Sequence, residues 1–531
     1  MTTTRRIHPF PYDPFQQRAI ECIDQGLSLF VTAPTGSGKT VLADYVIERT
    51  LERHHRVIYT APVKALSNQK FRDFTARHGD NVGIMTGDVT IQPGAPLIIM
   101  TTEIYRNTLL ENPAHLARYA WIIFDEIHYL DDPERGTVWE ESLLFTPSHM
   151  NLLCLSATIP NVKQLAQWIR AIHGRPIEVI EETHRPVPLT TLFQCQNMIL
   201  ASPAELTERG YHGHHKHPNR LHPLILHLQE HERLPGILFT FGRRRAEDLA
   251  WEISGLGLAD PSERQALRRL YAQLCERFQL RGDATAEALG RLVERGVAYH
   301  HAGMLPTMKE VIERCFASRL LKLIVTTETF ALGINMPARS VVLDTLKKRS
   351  GGGFELLRRR DFLQMAGRAG RRGMDEAGFV YLRVNPLHVS SSEVEHLLHG
   401  TPEPVHSRFN TTYATLLNLY RRHGPSLLEI FPKTLYYFQT TGPRRQAGLD
   451  LMQRKLELLR LLGYLTPTAL TPKGEFGASL YGHELLLTEL HTAKRLEALG
   501  MPELALLACA IIFEPKPKAG PAKSHRVSKR L

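Results

Sequence analysis

Leu27-Ser28-Leu29-Phe30-Val31-Thr32-Ala33-Pro34-Thr35-Gly36-Ser37-Gly38-Lys39-Thr40 reads as a buried strand that turns through glycines into a helix. Farther along, Trp121-Ile122-Ile123-Phe124-Asp125-Glu126-Ile127-His128 carries a second apolar strand to a pair of carboxylates. In a strand, glycine loop and helix of this kind, backbone N–H groups and the positive helix end wrap a polyphosphate, Lys39 meets its outer charges and Thr40 holds magnesium. The carboxylates supply the other half: Asp125 fixes the metal shell and Glu126 takes a proton from water. The loop runs through Ala33, Pro34, Thr35, Gly36, Ser37, Gly38, Lys39 and Thr40, with alanine where the usual phosphate-loop pattern begins with glycine. By itself such a loop also reads as a turn whose glycines only provide φ > 0, and Asp-Glu at a strand end as a helix cap. Together the two segments describe a nucleoside-triphosphate site.

The 531 residues are 43% apolar and carry a net charge of +11. At roughly 100–200 residues per domain, the length accommodates three or four domains with packed cores. The first ten residues hold no secretory signal, and the longest apolar run, Leu504 to Phe513, is too short to span a bilayer; a cytoplasmic protein without a membrane partner is expected. Cys22, Cys154, Cys195, Cys275, Cys315 and Cys509 have no paired spacing, so neither a zinc site nor a disulfide framework is indicated. The positive charge points to a polyanionic partner. It concentrates in Lys347-Lys348-Arg349, in Arg358-Arg359-Arg360, in Arg368, Arg371 and Arg372, and in the tail from Lys516 to Arg530.

From Phe10 to about Pro188, short apolar runs (Arg56 to Thr60, Leu97 to Met100, Ala120 to Asp125, Leu152 to Leu155) alternate with amphipathic segments, which predicts a parallel sheet covered by helices. A second alternation runs through Pro235 to Phe239, Val297 to His300, Lys322 to Thr326, Ser340 to Leu343 and Gly378 to Leu382. The expected organisation is a first sheet domain over 1–190, a linker over 191–230, a second sheet domain over 231–395, a winged-helix-like module over 405–475, a partial helical domain over 476–515 and a basic disordered tail over 516–531. The histidines of the linker, His212, His214, His215, His217, His222, His227 and His231, read as a solvated stretch rather than a metal site.

Reading on, the chain presents Ser156-Ala157-Thr158, then Val325 to Pro337, then Gln364-Met365-Ala366-Gly367-Arg368-Ala369-Gly370-Arg371-Arg372-Gly373. In this order they resemble the motifs of superfamily 2 helicases. More narrowly, Asp13-Pro14-Phe15-Gln16, Pro62 to Lys70 and His300 to Pro306 look like the Ski-type DExH-box RNA helicases that feed the exosome. The resemblance implies an α/β fold of two tandem RecA-like parallel-sheet domains, followed by a small helical or winged-helix module and a partial helical bundle. It implies ATP and Mg2+ as cofactors, with Arg368 and Arg371 as arginine fingers on the second domain and Gln364 orienting the attacking water or the γ-phosphate. By the same resemblance Gln16 reads the adenine edge, Phe10 stacks on the base, Gly333 joins the nucleotide site, and Ser156 and Thr158 couple nucleotide state to the strand-binding face. Pro62, Lys64, Thr101, Thr102, Arg243, Thr326 and Thr327 fall on the segments that contact nucleic-acid phosphates, without regard to base identity. Leu346 to Arg358, centred on Gly351-Gly352-Gly353, occupies the place of a β-hairpin that splits duplexes.

The departures are at the C-terminal side. About eight residues separate Gln439 from Gly448 where eukaryotic relatives insert an arch domain, and the family's C-terminal helical domain is represented only by its opening third. The expected activity is ATP-dependent 3′ to 5′ unwinding or remodelling of single-stranded or partly duplex RNA by a monomer serving RNA-degradation machinery. The alternatives are a DNA-repair helicase and, from another class, a nucleic-acid-binding scaffold with a weak ATPase.

Overall fold

The computed structural model describes residues 7–211, 218–331, 336, 338–350, 353–410, 412–480 and 482–513. Gly333, Gly351-Gly352, His212 to His217 and the basic tail, all singled out above, lie outside the described residues. Two compact units emerge. One comprises Met1–Tyr105, Arg118–Tyr129 and Pro147–Val405, and the other Arg106–Ala117, Leu130–Thr146 and His406–Leu531.

The first unit contains two sheets in tandem. Strands β1 (Ser28–Thr32), β2 (Arg56–Ala61), β3 (Val82–Met85), β4 (Thr90–Ile91), β5 (Leu97–Thr101), β6 (Tyr119–Asp125), β7 (Asn151–Ser156) and β8 (Ile177–Glu181) form an eight-stranded sheet in the order β4-β3-β5-β2-β6-β7-β1-β8. All neighbours are parallel except the β3–β4 pair. Every residue of β1 and β5 is buried, as expected for strands covered on both faces, where each buried aliphatic side chain contributes about 1.5–3 kcal/mol. Because the strands are parallel, Thr32, Ala61, Thr101, Asp125 and Ser156 all reach the same carboxyl edge, where ligands of such sheets bind.

The second sheet contains β9 (Leu189–Cys195), β10 (Met198–Leu200), β11 (Gly236–Phe239), β12 (Val297–His300), β13 (Leu323–Thr326), β14 (Ser340–Leu343) and β17 (Gly378–Arg383), in the order β10-β9-β17-β14-β11-β13-β12. Strands β15 (Lys347–Ser350) and β16 (Gly353–Leu356) make a separate antiparallel hairpin. This corrects the expected linker at 191–230. β9 pairs in parallel with β17 from Leu189 to Gln194, and Phe193, Leu200, Leu206, Leu221, Leu224 and Leu228 join the core of the second sheet. The second domain therefore starts with β9, and its far limit is not 395, since a helix runs unbroken over Ser391–His399.

In the other unit the helices Tyr413–His423, Pro443–Leu461 and Pro472–Ala478 bury Leu416, Leu417, Tyr420, Met452, Leu456, Tyr464 and Ala478 together. A single antiparallel bridge, Leu465 to Leu470, stands where a wing would be. The boundary expected at 475 cuts the helix Pro472–Ala478. Beyond it, Glu489 on the helix Glu484–Thr492 accepts hydrogen bonds from Tyr464 (2.9 Å) and Lys473 (2.9 Å), which ties that helix to the module before it. Within the same unit, the buried Glu140 carboxylate accepts from Ser407 Oγ (2.6 Å) and the Leu435 N–H (2.7 Å), and Arg106 donates to Glu141 at 2.8 Å.

Candidate nucleotide site and nucleic-acid face

The loop after β1 folds as its glycines require. Gly36 and Gly38 adopt φ of +85° and +89°, and a side chain at Gly38 would meet the Gln16 amide at 2.8 Å. Ala33 closes the strand by donating to the Ser156 carbonyl at 3.2 Å. Lys39 precedes the helix Thr40–Glu52, and its Nζ donates to the carbonyls of Ala33 (2.6 Å) and Pro34 (3.1 Å). Burial lowers the Lys39 pKa while Glu126 and Asp125 oppose that shift, so a phosphate has a desolvated cation to meet. The Ser37 hydroxyl is buried with no hydrogen-bond partner, a donor available to an oxyanion.

Asp125 ends β6, and Glu126 follows with φ of +63°, a conformation that costs a non-glycine residue energy and is typical of functional turns. Burial raises the Asp125 pKa, with Glu126 adding to it; Lys70, Tyr59 and Lys39 pull it back. Tyr59, fully buried on β2, donates its hydroxyl to Asp125. His128 is buried with its Nδ1 3.4 Å from the Glu126 carboxylate, and burial, aided by Arg360, lowers its pKa to about 3. It is therefore neutral beside the carboxylates.

A cleft of about 380 Å³ joins these groups to the second sheet. Thr35, Gly36, Gly38, Lys39, Thr40, Lys70, Asp125 and Glu126 line it on one side, and Gly367, Arg368, Arg371 and Arg372 on the other. The second group follows the helix Arg359–Ala366, whose first N–H groups, on Arg359 and Arg360, donate to the Glu403 carboxylate at 2.8 and 3.0 Å. Arg368 is buried and donates to the Ala331 carbonyl; burial lowers its pKa, and Glu126 and Asp125 oppose that. Arg371 makes a two-pronged pair with Asp375, both bonds 2.7 Å, so a phosphate has to replace that carboxylate before Arg371 serves as a finger. Gln364 is buried on the helix and is not among the residues lining the cleft.

The adenine-side residues are placed differently from one another. Gln16 lies buried against the loop, its amide nitrogen donating to the Gly38 carbonyl at 3.1 Å and its oxygen accepting from the Asp13 N–H at 2.9 Å. Phe10 is 40% exposed and stacks on His8, away from the cleft lining. Ser156 is buried, with its hydroxyl lacking a hydrogen-bond partner, and Thr158 is half-buried.

Along the carboxyl edges, Lys64 is exposed and pairs with Asp88 at 2.7 Å, Arg243 is exposed at the start of the helix Arg243–Ser254, and Thr327 is half-buried. Pro62, Thr101, Thr102 and Thr326 are buried, and Thr326 Oγ1 donates to the His300 carbonyl at 2.7 Å.

Four residues to which the motif reading gave no role complete the site: Tyr59 and Lys70 around Asp125, Arg372, and Arg185. Arg372 donates to the Ser37 carbonyl (3.0 Å) and to Asp13 (2.9 Å), and Arg185 to the Thr35 carbonyl (2.7 Å). Arg372 stood in a basic run; Tyr59 sat in a strand, indistinguishable from any core aromatic.

Residues 13–165 match the DEAD/DEAH box helicase family, and residues 270–373 match the helicase conserved C-terminal domain. The chain is 36% identical to the ATP-dependent RNA helicase mtr4 of Schizosaccharomyces pombe over 498 residues, 86% of this chain and 44% of that protein. It is 37% identical to Homo sapiens Exosome RNA helicase MTR4 over 460 residues (81% and 44%) and 36% identical to Homo sapiens Superkiller complex protein 2 over 501 residues (87% and 40%). It thus spans less than half the length of these relatives.

Proposed function

The chain belongs to the DExH-box helicases similar to Mtr4 and Superkiller complex protein 2, and from that premise we propose that it couples ATP hydrolysis to the unwinding or remodelling of RNA. The observation that carries the proposal is the cleft in which Lys39, Asp125 and Glu126 face Arg368 and Arg371 from the opposite sheet. Each half of that site is inert alone: one holds the phosphates and the base, the other the cations that meet charge on the far side of the γ-phosphate.

In this mechanism Lys39 exchanges the Ala33 and Pro34 carbonyls for phosphate oxygens, and the loop N–H groups and Ser37 hydroxyl take the remainder. Thr40 and Asp125 would hold magnesium, which would neutralise phosphate charge. Glu126, turned off the strand by its left-handed backbone, receives the proton of the attacking water. Arg371 leaves Asp375 for the phosphate, so nucleotide occupancy changes an ion pair on the second domain. Nucleic acid runs along the carboxyl edges past Lys64, Arg243 and Thr327. The β15–β16 hairpin, with Phe354 75% exposed, serves as the wedge that splits a duplex.

RNA is the proposed substrate because two of the relatives named above are RNA helicases by name, and the exosome in one of those names makes RNA-degradation machinery the proposed partner; the proposed 3′ to 5′ direction is carried from the resemblance of the motifs. The test is ATP turnover with and without single-stranded RNA, in wild type, Lys39→Ala and Glu126→Gln. Stimulation by RNA is expected, with both variants reduced to background; unchanged turnover in both would sink the proposal. Matched RNA and DNA duplexes with 3′ overhangs decide the substrate, and preferential unwinding of DNA reverses that choice.

A further inference from the structure

The segment between β8 and β9, residues 182–188, joins the two sheets, and its Arg185 reaches into the junction of two remote stretches of chain. Arg185 Nε donates to the Val187 carbonyl at 2.7 Å, Nη1 to Thr35 at 2.7 Å, and Nη2 to Gly367 at 3.2 Å and to Ala369. Thr35 belongs to the nucleotide loop, while Gly367 and Ala369 flank Arg368 on the opposite sheet. These acceptors lie 150 to 184 residues from Arg185 in sequence.

All four acceptors are main-chain carbonyls, so the guanidinium works as a fork rather than as half of an ion pair. Burial lowers its pKa to about 10, which leaves it charged at neutral pH. Glycines make room for the convergence. A Cβ at Gly367 would lie 2.5 Å from Thr35 Cβ, and one at Gly370 would lie 2.6 Å from Val187 Cγ1. Other links cross between the sheets: Arg372 holds Ser37 and Asp13, and Arg72 pairs with Glu310 at 2.9 Å. Arg185 differs in gripping the loop and both neighbours of Arg368 with a single rigid group.

We propose that Arg185 is a positioning residue for ATP turnover, a clasp that fixes Arg368 relative to the Thr35–Lys39 loop so that both sides address one phosphate. The inference rests on the ATPase reading above. If the sheets part, either the Thr35 bond or the Gly367 and Ala369 bonds must break, so the clasp makes the closed arrangement of the cleft depend on the connector itself. A lysine cannot reproduce it, because a point charge lacks the planar fork that spans three carbonyls.

The test compares Arg185→Ala, Arg185→Lys, Arg368→Ala and the Arg185→Ala/Arg368→Ala double variant in strand-stimulated ATP turnover, fluorescent ATP-analogue binding and thermal melting. Both Arg185 variants should lose about tenfold or more in kcat, with analogue affinity and KM within about threefold of wild type and melting preserved. Because Arg185 acts through Arg368, the double variant should be no slower than Arg368→Ala alone. Wild-type kcat in Arg185→Lys, or losses that multiply in the double variant, would overturn the clasp while leaving the ATPase reading intact. A wild-type chain that hydrolyses no ATP overturns both.

Discussion

Removing the Tyr59 hydroxyl isolates one interaction at the metal-holding carboxylate. Tyr59 is fully buried on β2, its ring 5.7 Å from Lys70 Nζ, and its hydroxyl donates to Asp125, whose carboxyl burial already pushes towards the protonated form. A hydrogen bond to a charged group contributes about 1.5–3 kcal/mol. In Tyr59→Phe that stabilisation of the carboxylate is lost, and the Asp125 pKa rises further. Asp125 has to be ionised to hold magnesium, so protons compete with the metal at higher pH. Two consequences follow: the acidic limb of the ATPase pH profile moves up, and on that limb half-saturation by magnesium rises about tenfold or more, the equivalent of the lost hydrogen bond. Phenylalanine fills the same volume, so the melting temperature should change little. An acidic limb within about 0.3 unit of wild type, together with unchanged magnesium dependence, would refute the argument that Tyr59 holds Asp125 ionised.

Gly367→Ala places a methyl group 2.5 Å from Thr35 Cβ and 2.8 Å from the Leu363 carbonyl. Overpacking of about 1–3 kcal/mol, relieved by parting the sheets, should cut RNA-stimulated turnover about tenfold to hundredfold with nucleotide affinity retained, and wild-type turnover would show that the cleft does not need this approach. Phe354→Ala should leave stimulated ATP turnover intact while reducing duplex unwinding severalfold; undiminished unwinding removes the hairpin from the mechanism. Glu140 has its pKa raised to about 7 by burial, against the opposing hydrogen bonds from Ser407 and the Tyr436 and Leu435 backbone. An acid whose folded pKa lies above its unfolded value of about 4.5 binds more protons when folded, so stability falls as pH rises from about 4.5 to 7, by roughly 3 kcal/mol in all. Glu140→Gln should flatten that slope in thermal melts between pH 5 and 8, and an unaltered slope would assign it to other groups.

The parts of this molecule that were legible in sequence are those in which chemistry and local structure coincide. β1 and β6 read as buried strands because unbroken runs of apolar or small residues, Leu27 to Thr32 and Ala120 to Phe124, precede Ala33 and Asp125, and a parallel strand covered on both faces has no reason to alternate. The loop was legible because φ > 0 at Gly36 and Gly38 is demanded by the same turn that presents Lys39. β9 was not legible: Leu189-Thr190-Thr191-Leu192 alternates weakly, and its place beside β17 is fixed by a pairing almost 190 residues away that no local pattern announces. The buried threonines fail for a related reason. Thr101, Thr102 and Thr326 occupy the strand ends that the motifs specify, yet a residue type and a position do not say whether a hydroxyl points outward or, like that of Thr326, back to a neighbouring carbonyl.

The same limit explains why the cleft itself was only half visible. Lys39, Asp125 and Glu126 carry their roles in residue type, whereas the separation between them and Arg368 is set by groups with no chemistry of their own. Gly367 has no side chain, and that lets the arginine turn approach Thr35; Gly370 lets it approach Val187; Arg185 ties the resulting junction through carbonyls that every residue possesses. A sequence motif records what must be present at a site, and spacing across two domains is recorded instead in residues that permit contact. If turnover depends on closure, substitutions at Gly367 and Arg185 should therefore lower kcat as severely as removal of a finger while barely changing nucleotide binding. A loss confined to binding at both positions would place the control of turnover in the loop alone.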